Sequence, residues 1–83
     1  MSQPLEINTS QSPIVLDAMG KPCPMPLLML KKQLKKTEPG QQILLMSSDP
    51  HSQLDIGRFC QLNQLKYHID IISEYEFHYT VQI

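Results

Sequence analysis

The chain has 83 residues and a mass of 9.5 kDa, enough for one small domain and too short for a second core. Hydrophobic residues make up 41% and charged residues 18%, too apolar for a disordered chain and too polar for a membrane protein, and the longest apolar runs, Leu27–Leu30 and Ile43–Met46, fall far short of a bilayer span. The net charge of −1 favours no partner, yet residues 21–36 hold Lys21, Lys31, Lys32, Lys35 and Lys36 with no acid, so the remainder nets −6 and one face of one element should be basic.

Residues 1–13 are polar, with no basic cluster and no apolar block, and read as a flexible tail without a secretion signal. A cytoplasmic location is the expectation, with residues 14–83 as the single domain. Ile14-Val15-Leu16-Asp17 is a short strand, and Met19-Gly20-Lys21-Pro22 a turn in which Gly20 is free to take positive φ. From Pro24 the pattern is helical: Leu27, Leu30 and Leu34 fall on one stripe, and Glu38-Pro39-Gly40 stops the helix. Ile43–Met46 is too short for a helix between such breakers and reads as a central strand, apolar on both faces. That composition implies an apolar sheet surface opposite the helices.

Asp49 suits an N-cap and Pro50 a first helical residue. The second helix turns Ile56, Phe59 and Cys60 inward and stops at Asn63, and Gly57 costs it about 1 kcal/mol against alanine. Tyr67, Ile69 and Ile71 alternate with His68, Asp70 and Ile72, and Phe77, Tyr79, Val81 and Ile83 with His78, Thr80 and Gln82. They make two strands joined through Ser73-Glu74-Tyr75. The order βαβαββ implies an α+β, two-layer sandwich: a four-stranded mixed sheet with two helices on one face.

Chemistry concentrates in Gly20-Lys21-Pro22-Cys23-Pro24-Met25-Pro26, where prolines stiffen the chain on both sides of one cysteine just before a helix. Most lone cysteines are small buried hydrophobes, but this placement favours function. At an N-cap or first turn, Cys23 would meet free N–H groups and the helix dipole. An ordinary thiol, pKa ~8.5, is only about 3% thiolate at pH 7. A helix terminus contributing ~1 kcal/mol would lower that pKa by somewhat under one unit, with Lys21 adding to the effect.

Proline at position 26 excludes a C-x-x-C redox pair. His51, His68 and His78 are scattered, with no pattern pairing one to Cys23 as a base, and the histidines and cysteines together make a poor zinc site. No metal or cofactor is implied. What remains is a single thiol presented without catalytic machinery, as a group carrier requires. Cys60, on the inward stripe of the second helix, reads as core; a bridge to Cys23, making a redox sensor, is arithmetically open.

Leu16-Asp17-Ala18-Met19-Gly20, Cys23-Pro24-Met25-Pro26, Pro39-Gly40, Ser48-Asp49-Pro50, Asp55-Ile56 and Phe59-Cys60 together resemble the TusA (SirA-like) sulfur-carrier family, from about Ile14 to the end of the chain. The chain departs from the usual pattern at Lys21-Pro22, at Ser48-Asp49 and at Gly57, where proline is frequent. The resemblance implies the βαβαββ sandwich and a cysteine, Cys23 by motif, that carries sulfane sulfur as a persulfide. Sulfur then passes from a donor protein, a cysteine desulfurase or rhodanese-like enzyme, to an acceptor protein. The result is a sulfurtransferase-type carrier rather than a self-sufficient enzyme. Some members feed tRNA 2-thiouridine formation; others serve sulfur oxidation, molybdenum-cofactor or selenium routes. Lys31, Lys32, Lys35 and Lys36 read equally as a solvated helix end and as a docking face for an acidic partner. No aromatic interleaves with them, so direct nucleic-acid binding is not expected; nor is a membrane partner, and a monomer or weak dimer is. The alternative function is a regulatory or protein-binding module in which the cysteine is incidental.

Overall fold

The β-branched and alternating runs pair into one sheet because each strand has an apolar side to bury and unpaired backbone groups to satisfy. The computed structural model describes residues 13–83; the tail expected over residues 1–13 thus lies, but for its last residue, outside the described part. Strand β1 spans Ile14–Ala18, helix α1 Met25–Leu34, β2 Gln42–Ser47, helix α2 Ser52–Leu62, β3 Lys66–Ser73 and β4 Glu76–Gln82. The sheet order is β1-β2-β4-β3, with β1 parallel to β2 and the other neighbours antiparallel. This is the expected α+β arrangement in the expected βαβαββ order.

Alternation along the strands decides which face meets the helices. Ile43, Leu45 and Ser47 of β2 and Phe77, Tyr79 and Val81 of β4 are buried, while their neighbours in sequence are only half-buried. Ala18 of β1, Leu30 of α1, and Ile56 and Cys60 of α2 complete the core, with Leu27, Leu34 and Phe59 packed against its edge. Both helical stripes thus lie where their periodicity puts them, and Asn63 caps α2 as expected.

Two sequence readings need correction. The outer sheet face is not broadly apolar: beside Leu44 and Met46 it carries Gln42, and from β4 and β3 come His78, Thr80, Gln82, His68 and Asp70. Polar β4 dilutes the apolar strand, so β2 alone was a poor guide to the whole face. Helix α2 begins at Ser52, with Pro50 and His51 in the preceding turn; Asp49 still accepts the His51 N–H through Oδ1 (2.9 Å), as a capping aspartate does. Strand β3 lies at the edge of the sheet and buries little; Ile71 remains 62% exposed.

Gly57 in α2 fills a packing need. A Cβ built there would lie 2.8 Å from the Tyr67 hydroxyl, so the missing side chain admits the ring of β3 against the helix. Tyr79, the largest fully buried side chain, shares a 2.7 Å hydrogen bond with the buried Ser52 hydroxyl, which in turn donates to the Asp49 carbonyl at 2.7 Å. The core therefore reaches directly into the loop after β2.

Candidate functional site at the cysteine loop

Parallel pairing of β1 with β2 sets Ala18 beside Ser47, so the loops leaving both strands emerge together at one edge of the sheet. The first loop turns at once. The Asp17 carboxylate accepts the Met19 N–H at 3.0 Å, and Gly20, at φ +81°, donates its N–H to the Ser48 hydroxyl of the second loop at 2.8 Å. Positive φ at Gly20 is as expected, and the contact to Ser48 ties the two loops.

Cys23 follows, exposed, between Pro22 and Pro24 and joined to Pro24 by a cis bond. It stands one residue ahead of the helix cap, Pro24, rather than in the first turn. Most of the donors expected there are absent or engaged. Pro24 and Pro26 have no N–H, the Met25 N–H is bound to the Pro22 carbonyl at 2.8 Å, and the Cys23 N–H is bound to Asp49 Oδ2 at 2.7 Å. The prolines that stiffen the loop also remove two of the N–H groups that an anion at the helix start would use.

The thiol meets a carboxylate instead. Cys23 Sγ donates to Asp55 Oδ2 at 2.6 Å, from the first turn of α2. That hydrogen bond, then desolvation, then the negative charges of Asp55 and Asp49 push the Cys23 thiol up to about 11. The expected lowering is thus reversed. A hydrogen bond from S–H stabilises the neutral form, and nearby carboxylates disfavour a second anion. Lys21, exposed in the same loop, does not offset them. At such a pKa the thiol stays protonated at pH 7.

Asp49 organises the loop from the other side. Oδ1 accepts the His51 N–H and lies 3.2 Å from His51 Nδ1, while Oδ2 holds the Cys23 N–H. The His51 and Cys23 amides hold the Asp49 carboxyl below its ordinary range. It was foreseen as a cap; its grip on the cysteine loop was not. Asp55 was seen only as half of the Asp55-Ile56 pair. Its position just before the inward-facing Ile56, one turn into a helix, was the available signal that it would stand at the helix entrance.

The lysines separate. Lys31 lies over the Phe59 ring, 5.5 Å from its centre, and lines a shallow groove with Leu27, Asp55, Arg58, Phe59 and Leu62. Lys32, Lys35 and Lys36 are exposed around the end of α1. Arg58, from α2, joins Lys31 in the groove and was not singled out from the sequence. Cys60 is buried, with its thiol raised to about 11 by desolvation, and both cysteines are free. Among the described residues no three His, Cys, Asp or Glu side chains gather as a metal site, and no helix is long and apolar enough to cross a membrane.

An exposed thiol, fixed between prolines, bonded to the Asp55 carboxylate and held through its own backbone amide by Asp49, can accept and present a transferable group without further catalytic side chains. The family model described as Sulfurtransferase TusA matches residues 14–83, which include every element above, and the chain belongs to that sulfur-carrying family.

Proposed function

We propose that residues 14–83 work as one domain, a carrier that takes sulfane sulfur onto Cys23 as a persulfide and passes it to an acceptor protein. The observation that carries this reading is the exposed Sγ of Cys23 on a loop tied to both Asp49 and Asp55, in a chain of the sulfurtransferase family. Gly20, Lys21, Pro22, Pro24 and Pro26 shape that loop. The donor is a persulfide-bearing enzyme of the cysteine-desulfurase or rhodanese-like kind, and thiolation of tRNA is one destination that such a relay serves. The work is that of a cytoplasmic sulfurtransferase-type carrier, which depends on its partners for the rest of the chemistry.

Loading balances without an external oxidant. Cys23 Sγ attacks the outer sulfur of the donor persulfide, an Sγ–S bond forms, and the donor's S–S bond breaks. The electron pair of the broken bond stays on the donor's inner sulfur, which leaves as a thiolate and recovers the proton lost by Sγ. One persulfide is consumed and one is made. Lys31, Lys32, Lys35 and Lys36 supply a positive surface along the later half of α1 and past its end, on which an acidic partner docks.

Incubation with a cysteine desulfurase and cysteine, followed by intact-protein mass spectrometry, tests the reading. The wild type gains the mass of one sulfur atom, and Cys23→Ala gains none. Equal gain by both proteins, or none by the wild type, rules the reading out.

A further inference from the structure

The bond between Cys23 and Asp55 joins two stiff elements, a proline-bounded loop and the first turn of an eleven-residue helix. Asp55 is half-buried and lies along the groove edge, so its placement against the thiol fills no void in the core. The charged groups around it are mixed. Asp49 stands on the amide side of Cys23 with His51 on its other oxygen, Lys21 lies exposed in the loop, and Lys31 and Arg58 line the groove with Asp55. Among the described residues, Asp55 alone bonds to the sulfur.

We propose that Asp55 guards the carrier: its carboxylate holds the empty thiol as a hydrogen-bonded S–H and lets go of the sulfur once it is loaded. The proposal rests on the persulfide-carrier reading above. Its logic is the proton count at Sγ. In the empty carrier Sγ has one proton to donate, and Asp55 accepts it. In the persulfide Sγ is bonded to Cβ and to the outer sulfur, has no proton, and turns only lone pairs toward Oδ2. The outer sulfur is more acidic than a thiol, and as an anion it is repelled by the same carboxylate. Loading therefore converts an attraction into a repulsion, and the loaded sulfur swings away from α2 toward solvent and the acceptor. The empty carrier, by contrast, keeps its thiol neutral and resists adventitious alkylation and oxidation, since thiolate is the reactive form.

The test is the pH dependence of Cys23 alkylation in the full chain, read on the Cys23 peptide, with neutral iodoacetamide and anionic iodoacetate compared. Buried Cys60 reports any unfolding. Asp55→Asn keeps the shape and removes the charge, Asp55→Ser is a second charge-free variant should the first fail to fold, and Asp55→Glu restores the charge. In Asp55→Asn the midpoint falls by at least one unit. Each unit multiplies thiolate tenfold while reducing its nucleophilicity by about threefold, so the rate near neutral pH rises roughly threefold per unit. The preference for the neutral over the anionic reagent shrinks, and Asp55→Glu returns both readouts toward wild type. An unmoved midpoint with unmoved reagent preference in the charge-free variants overturns the guard. Sulfur loading of the wild type is measured in parallel. Normal loading with no change in alkylation ends the guard alone, whereas no loading ends the carrier reading and, with it, the release step.

Discussion

Replacing Ser52 with alanine should harm the protein more than replacing Tyr79 with phenylalanine, although each removes one hydroxyl of the same 2.7 Å pair. Both residues are essentially inaccessible to water. Ser52 Oγ already donates its proton to the Asp49 carbonyl at 2.7 Å, so the Tyr79 hydroxyl must be the donor to Ser52. Tyr79→Phe removes that donor and leaves Ser52 still donating, which costs about 0.5–1.5 kcal/mol as a lost hydrogen bond. Ser52→Ala strands the tyrosine O–H in an apolar core and costs roughly 1–3 kcal/mol for the unsatisfied group. It leaves the Asp49 carbonyl with the Ser52 N–H at 3.0 Å, so no second group is orphaned. The double variant, in which no polar group is left stranded, should be more stable than Ser52→Ala alone. Urea unfolding of the three variants measures this directly. A Tyr79→Phe cost at or above that of Ser52→Ala, or strict additivity in the double variant, would refute the assigned donor direction.

Other consequences follow from the same contacts. Gly57→Ala gains up to about 1 kcal/mol of helix propensity but sets its Cβ against the Tyr67 hydroxyl, so thermal denaturation should show the full gain only when Tyr67→Phe is also present. Asp49 has a lowered carboxyl, and its hold on the Cys23 and His51 amides is therefore present above the ordinary aspartate range and lost as pH falls through the folded-state value. The Cys23 amide resonance should titrate in that acid window in the wild type and stay flat in Asp49→Ala; a flat wild-type response contradicts the bond. Charge reversal of Lys32 and Lys36, exposed at the end of α1, should weaken donor docking in a salt-sensitive way while leaving iodoacetamide reactivity of Cys23 unchanged; equal loading kinetics at low salt would remove these lysines from the docking face.

The fold was largely legible because its signals are local. Leu27, Leu30 and Leu34 repeat at helical spacing, Pro39-Gly40 breaks the chain, and the alternation of Phe77, Tyr79 and Val81 marks one face of a strand; all of these lie where the pattern puts them. Exposure of Cys23 just before a helix was legible too, from the flanking prolines, although the cap itself falls on Pro24. The electrostatic sign was not. Asp49 and Asp55 stand 26 and 32 residues from Cys23 in sequence and reach it only because β1 and β2 pair in parallel and α2 starts beside their ends. A dipole estimate drawn from the helix start alone omits both charges, and it also counts amides that Pro24 and Pro26 do not possess. The outer sheet face misled for a similar reason: one strand was read for a surface that polar β4 and β3 share.

Site-resolved mass spectrometry of the protein loaded by a cysteine desulfurase, with alkylation of the persulfide before digestion, bears most directly on sulfur carriage. Two free cysteines in one chain make the comparison internal, since one is exposed and the other buried. The extra sulfur should appear on the Cys23 peptide and none on the Cys60 peptide. Sulfur shared equally between the two peptides, or found on neither, would contradict it.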